Sequence, residues 1–164
     1  MFQNAAGDIY EKRPVLPKGS ASTGGNVTLI GAQIAKWEDV VYDIAAKASW
    51  HNIGYVNEGK RYAIQYTGGL WSANLTQNDG DLYDANGSDV TATQTGYPLV
   101  GAPEGALIGC IGNNPPFLIG NGTTTPEGQT GQFSMVINDD LQGEYGPGLK
   151  DNIGRVTMKV EEVS

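Results

Sequence analysis

An all-β sandwich is the fold class that this sequence predicts, and three observations carry it. No segment sustains a helical period of apolar residues. The 24 glycines and 8 prolines of the 164 residues supply turns between many short strands rather than interiors of long elements. Short runs also alternate: Val156, Met158 and Val160 with Arg155, Thr157 and Lys159, and Tyr62, Ile64 and Tyr66 with their polar neighbours. A period of two places the apolar members on one face of a strand.

Composition narrows the function. A net charge of −8 argues against a nucleic-acid partner, because too few cations are present to displace phosphate counterions. It suits bound cations and solubility. The single cysteine, Cys110, forms no internal disulfide, and its apolar setting in Ala106-Leu-Ile-Gly-Cys-Ile111 reads as a buried small hydrophobe. The first eight residues lack the basic start and apolar core of a secretory signal. The expectation is a chain made in the cytoplasm that reaches the outside by release or by assembly into a particle. No apolar run approaches the roughly 20 residues of a membrane helix, so no membrane insertion is expected.

The elements follow in order. Residues 1–35 read as an extended N-terminal arm, with prolines in Arg13-Pro-Val-Leu-Pro17, a Gly/Ser linker at 19–25 and a short strand at Val27–Ile30. Such an arm is either partly ordered, the favoured reading, or joined to a neighbouring subunit's sheet edge. The domain proper spans 36–164. Residues 37–53 are apolar without a clean period; strands are assigned, although Asp39 to Ala48 also passes for a short helix. A strand at 59–68 precedes a bulge or bend at Gly68-Gly69, after which Trp71 to Asn74 leave the sheet. Asp79, Asp81 and Asp84 lack the glutamate and glycine spacing of an EF-hand, so residues 78–87 read as turns. Residues 89–97 form a polar loop. Gly105 to Gly112 is an apolar strand with an interior glycine, and it lacks the Lys-Ser/Thr ending of a phosphate loop. Phe117 to Gly120 is a short strand, and 122–131 a Thr-rich turn region.

The stretch from Phe133 to Val160 organises the rest. Two strand-like runs enclose a loop rich in oxygen: Asn138, Asp139, Asp140, Glu144, Asp151 and Asn152. Glycines and Pro147 keep it out of helix or sheet. Hard carboxylate and amide oxygens on a bent backbone suit a calcium ion. A solvated acidic loop without metal is the plain alternative. Catalysis is poorly supported. His51 stands without metal-spaced partners and no serine sits in a nucleophile elbow. Asp139 with Glu144 or Asp151 makes only a weak glycosidase pair, since calcium would hold both acids ionised. A non-enzymatic protein is expected.

The motif order resembles that of the LecA-type lectins, calcium-dependent galactophilic bacterial lectins. The resemblance rests on Trp37, Gly59-Lys-Arg-Tyr-Ala-Ile, Gly69-Leu-Trp71-Ser, Asp84-Ala-Asn-Gly87, Pro103-Glu-Gly-Ala-Leu-Ile-Gly-Cys-Ile-Gly112, Phe117-Leu-Ile-Gly120, Gly131-Gln-Phe and Asn138-Asp139 … Tyr145 … Asp151-Asn-Ile-Gly-Arg-Val156. It implies a small jelly-roll β-sandwich, galactose-binding-like. It also implies calcium held by Asp139, Asp151 and Asn152 with main-chain carbonyls of Glu144 and Asn74. Asp139, Asp151 and Asn152 would meet a galactoside or other glycan, with Gln94 as stand-in for the family's sugar-contacting loop. This chain departs in a longer Asp140–Glu144 spacing, an inserted Pro147-Gly-Leu-Lys150, no histidine in the sugar loop and no disulfide. Two functions follow: a calcium-dependent carbohydrate-binding module that is homo-oligomeric for avidity, or the same sandwich as a structural or adhesion component of a phage particle or secreted assembly.

Overall fold

The computed structural model describes residues 40–74 and 82–163. Within them the chain is all-β and folds as two antiparallel sheets packed face to face. The strands are β1 (Val40–Ala45), β2 (His51–Val56), β3 (Tyr62–Gly68), β4 (Trp71–Ser72), β5 (Leu107–Ile111), β6 (Phe117–Leu118), β7 (Gly122–Thr124), β8 (Gly131–Ile137) and β9 (Ile153–Glu162). One sheet runs β1-β9-β3-β7 with β4 also on β9; the other runs β2-β8-β5-β6. Successive strands thus change sheets repeatedly, as in a jelly roll. The N-terminal arm, with its strand at Val27–Ile30, and the turns expected at 78–81 lie outside the described residues.

The alternation in β9 has the consequence expected of it: Val156, Met158 and Val160 are fully buried. They meet Ile44 and Ile64 from their own sheet and Phe133, Met135 and Ile137 from the facing one in a single core. Gly109, the interior glycine of β5, faces Phe117 and Phe133, and a Cβ there would lie 2.9 Å from both rings. Close packing explains it, as expected for glycine inside a strand.

The strands assigned within 37–53 are present as β1 and β2, and β1 pairs along its whole length with β9 instead of forming the helix that this stretch could pass for; sheet pairing overrides local helix propensity. Three local expectations need correction. Trp71 and Ser72 do not leave the sheet but pair with Gly154 and Ile153. Gly122–Thr124 inside the Thr-rich turn region is a short edge strand on β3. Cys110 is only half-buried, and its thiol donates to the Asn114 carbonyl at 3.2 Å. Burial still pushes its pKa up, which disfavours the nucleophilic thiolate.

The β3–β9 register shifts between Tyr66 and Gly68, and the shifted register then holds through Leu70, Trp71 and Ser72. The expected bulge is therefore present, and β4 pairs with β9 in the register it sets.

Candidate functional site

The oxygen-rich segment 138–152 joins β8 to β9, and these strands lie in different sheets. It is an arch across one end of the sandwich rather than a hairpin loop. Its first residues are buried: Asn138 fully, Asp139 and Asp140 4% exposed each. The three do different work. Asn138 is a latch, its amide donating to the carbonyls of Leu99 at 3.0 Å and Pro103 at 3.1 Å and accepting from Leu99 N–H at 3.1 Å. Asp140 caps the arch, its carboxylate accepting the N–H groups of Glu144 at 3.0 Å and Tyr145 at 2.7 Å. A short side chain folding back on nearby main-chain donors is a turn-forming device.

Asp139 faces a different environment. One oxygen accepts the Asp140 N–H at 2.7 Å and the other accepts the Asn152 amide at 2.8 Å. Burial pushes its carboxyl up to about 6; the two hydrogen bonds oppose this, while the charges of Glu104 and Asp151 add to it. Asn152 is fully buried. Its amide also donates to the Ala46 carbonyl at 2.9 Å, which ties the β1–β2 turn to the arch. Its Oδ1 has no partner, and neither does Oε1 of Glu104, itself 6% exposed. Burying a strong acceptor without a donor is costly, so these two atoms are where an ion or a bound donor would be most at home.

The loop carrying Glu104 lies against the arch. The Gly105 N–H donates to the Asn138 carbonyl at 2.8 Å, so Glu104 and Asp139 flank one main-chain hydrogen bond. The other oxygen of Glu104 accepts the Tyr97 hydroxyl at 2.6 Å. Burial chiefly, with that hydrogen bond and the charges of Glu104, Asp139 and Asp140, drives the Tyr97 phenol strongly up. Gly96 lies against the arch cap: a Cβ there would be 2.9 Å from Asp140 Oδ1 and 3.3 Å from the Tyr145 ring. A third element enters through Tyr83, whose hydroxyl accepts the Ala73 N–H at 2.7 Å and whose phenol also feels Glu104 and Asp139.

The expected site residues sort accordingly. Asp139 and Asn152 are in direct contact, with Asp151 half-buried at the end of a 3-10 turn, Gly148–Asp151, and near enough for its charge to reach Asp139. Asn74 is half-buried just past β4, its N–H donating to Ser72 Oγ at 3.2 Å. Glu144 is exposed and is fixed through its N–H on Asp140. Gln94 is exposed too, its carbonyl accepting the Tyr97 N–H at 3.2 Å; in that turn Thr95 and Gly96 meet the arch, and Tyr97 meets Glu104. The inserted Pro147–Lys150 segment borders an open depression of about 260 Å³ with Leu141, Gln142, Gly143 and Gly146, away from Asp139 and Asn152. Among the described residues no three His, Cys, Asp or Glu side chains converge tightly enough to hold a metal unaided. A cation here would draw on amide and main-chain oxygens besides Asp139.

Reasoning from sequence missed Glu104, Tyr97 and the cap role of Asp140. Glu104 carried a readable signal: a lone acid opening an apolar strand, between Pro103 and Gly105-Ala-Leu-Ile.

One solved structure with this fold is the EclA N-terminal domain, described as a PllA-like lectin: TM-score 0.53 and 19% identity over 74% of this chain and 94% of that one. No family model matches the sequence, and no curated protein does either.

Proposed function

We propose that the protein is a calcium-dependent carbohydrate-binding module of galactoside type, without enzymatic activity. The observation that carries this is the Asp139–Asn152 pair, buried together at the arch, with Asn152 Oδ1 unpartnered. The donor set is hard oxygen throughout, which fits calcium and not a soft or borderline metal. Asp139, Asn152 and Asp151 would supply side-chain oxygens, and Glu144 and Asn74 main-chain carbonyls. Bound calcium would offer a docking point at which two vicinal sugar hydroxyls replace water. Asp139 would accept from a hydroxyl, with Asp151, Asn152 and Gln94 around it. The lectin description of a structural neighbour supports the reading at the level of carbohydrate binding. Oligomerisation would raise the avidity of such weak single sites.

Calcium should raise the melting temperature, with EDTA reversing the shift. A galactoside panel titrated by calorimetry should give heat only with calcium present. Asp139→Asn should abolish both responses. Melting curves indifferent to calcium and to every galactoside would end the proposal.

A further inference from the structure

We propose that Glu104 is a positioning residue of the cation site: its buried charge holds the arch ready for a divalent ion. The inference rests on the calcium reading above and goes beyond it, since Glu104 is not among the ligands.

The placement argues for it. Glu104 opens β5's approach, is 6% exposed, and shares a main-chain hydrogen bond's flanks with Asp139, itself 4% exposed. A pair of neighbouring buried carboxylates is self-repelling, and neither has a cationic partner among the described residues, where ion pairs such as Lys60–Glu162 and Lys159–Glu161 lie elsewhere. An interior acid without a counter-charge costs stability. Two further atoms point the same way. Glu104 Oε1 is buried with no donor, and Oδ1 of Asn152, whose amide is bonded to Asp139, is likewise unpartnered. Both excess negative charge and orphaned oxygens are features that a cation relieves together.

Glu104 also reaches outward. Its other oxygen holds the Tyr97 hydroxyl at 2.6 Å, in the turn whose Gly96 lies on the arch cap and whose Thr95 hydroxyl sits 3.3 Å from the exposed Tyr145 hydroxyl. Outer residues of this kind typically change metal affinity roughly tenfold to a hundredfold when altered.

The test is Glu104→Gln, which keeps an acceptor for Tyr97 and removes the charge. In EDTA the variant should melt at or above the wild type, because a repulsion is gone. By isothermal titration its calcium affinity should fall roughly tenfold or more, and its calcium-induced melting shift should shrink accordingly. Tyr97→Phe serves as the control: it deletes the hydrogen bond, leaves the charge, and should keep calcium affinity within about twofold of wild type. Equal calcium affinity in Glu104→Gln and wild type overturns the proposal. So does a variant that melts lower, or fails to fold, in EDTA, since that makes Glu104 a structural acceptor only. An equal loss of calcium affinity in Tyr97→Phe overturns it as well, by assigning the effect to the hydrogen bond. A wild type that binds no calcium refutes the underlying calcium reading first, which the wild-type titration reveals on its own.

Discussion

Two acid-bearing loops in this molecule use the same residue types and reach different ends. In the turn Asp84–Gly87, the half-buried Asp84 accepts the Asn86 N–H at 2.9 Å with one oxygen and the Asn121 amide at 3.1 Å with the other. Asn86 Oδ1 in turn accepts the Asn121 N–H at 2.8 Å. Asparagine and aspartate serve there to complete a turn. Where the β8–β9 arch meets the Glu104 loop, Asp139, Asp140 and Glu104 are all buried, and Asn152 Oδ1 and Glu104 Oε1 lack donors. Asn121 Oδ1 beside Asp84 lacks one as well, so it is the burial of several acids together, rather than a count of acids or a single orphaned acceptor, that separates a candidate site from a turn.

That contrast can be broken or sharpened by substitution. The largest effect should come from the support common to both loops. Phe133→Ala removes a fully buried ring stacked 6.1 Å from Phe117 and should cost about 3–5 kcal/mol by urea denaturation. Asp140→Ala comes next. Losing two main-chain acceptor bonds in a buried cap should cost about 1–3 kcal/mol, and because the cap shapes the arch it should weaken calcium binding too. Asp84→Ala should cost about 1 kcal/mol and leave any calcium-dependent melting shift unchanged. A reduced shift in that variant would erase the distinction between the loops. The smallest expectation concerns alkaline pH. Tyr62, Tyr83 and Tyr97 all have their phenols pushed up, in each case chiefly by burial. A folded pKa above the unfolded value of about 10 means that this contribution is intact below pH 10 and is lost as pH rises further. Denaturation midpoints should therefore start to fall only above about pH 10, with tyrosinate absorbance rising at the same transition.

The sequence made some of this legible and hid the rest for identifiable reasons. The period-two runs at 62–66 and 156–160 are strands because alternation is a local property that burial enforces. The acids and amides of 138–152 were visible as an oxygen-rich stretch, and Asp139 and Asn152 do meet. Which sheet each strand joins was not visible, since β8 and β9 read equally well as a hairpin pair. Edge strands of two or three residues such as Trp71–Ser72 and Gly122–Thr124 are too short for a period to register, and their pairing is decided by distant β9 and β3. Glu104 and Tyr97 approach the arch only through tertiary contacts, so no spacing in the chain connects them with Asp139.

The arch has a mechanical consequence as well. The two sheets share no strand ladder, so apart from core packing they are restrained from sliding by the segments that cross between them. The β8–β9 arch is one such crossing, and Asn152 knots it to Ala46 in another turn at the same end. An ion seated there would act as a rivet through both layers. Tension applied at the end of β9 would then reach β8 through the rivet before it reached the core.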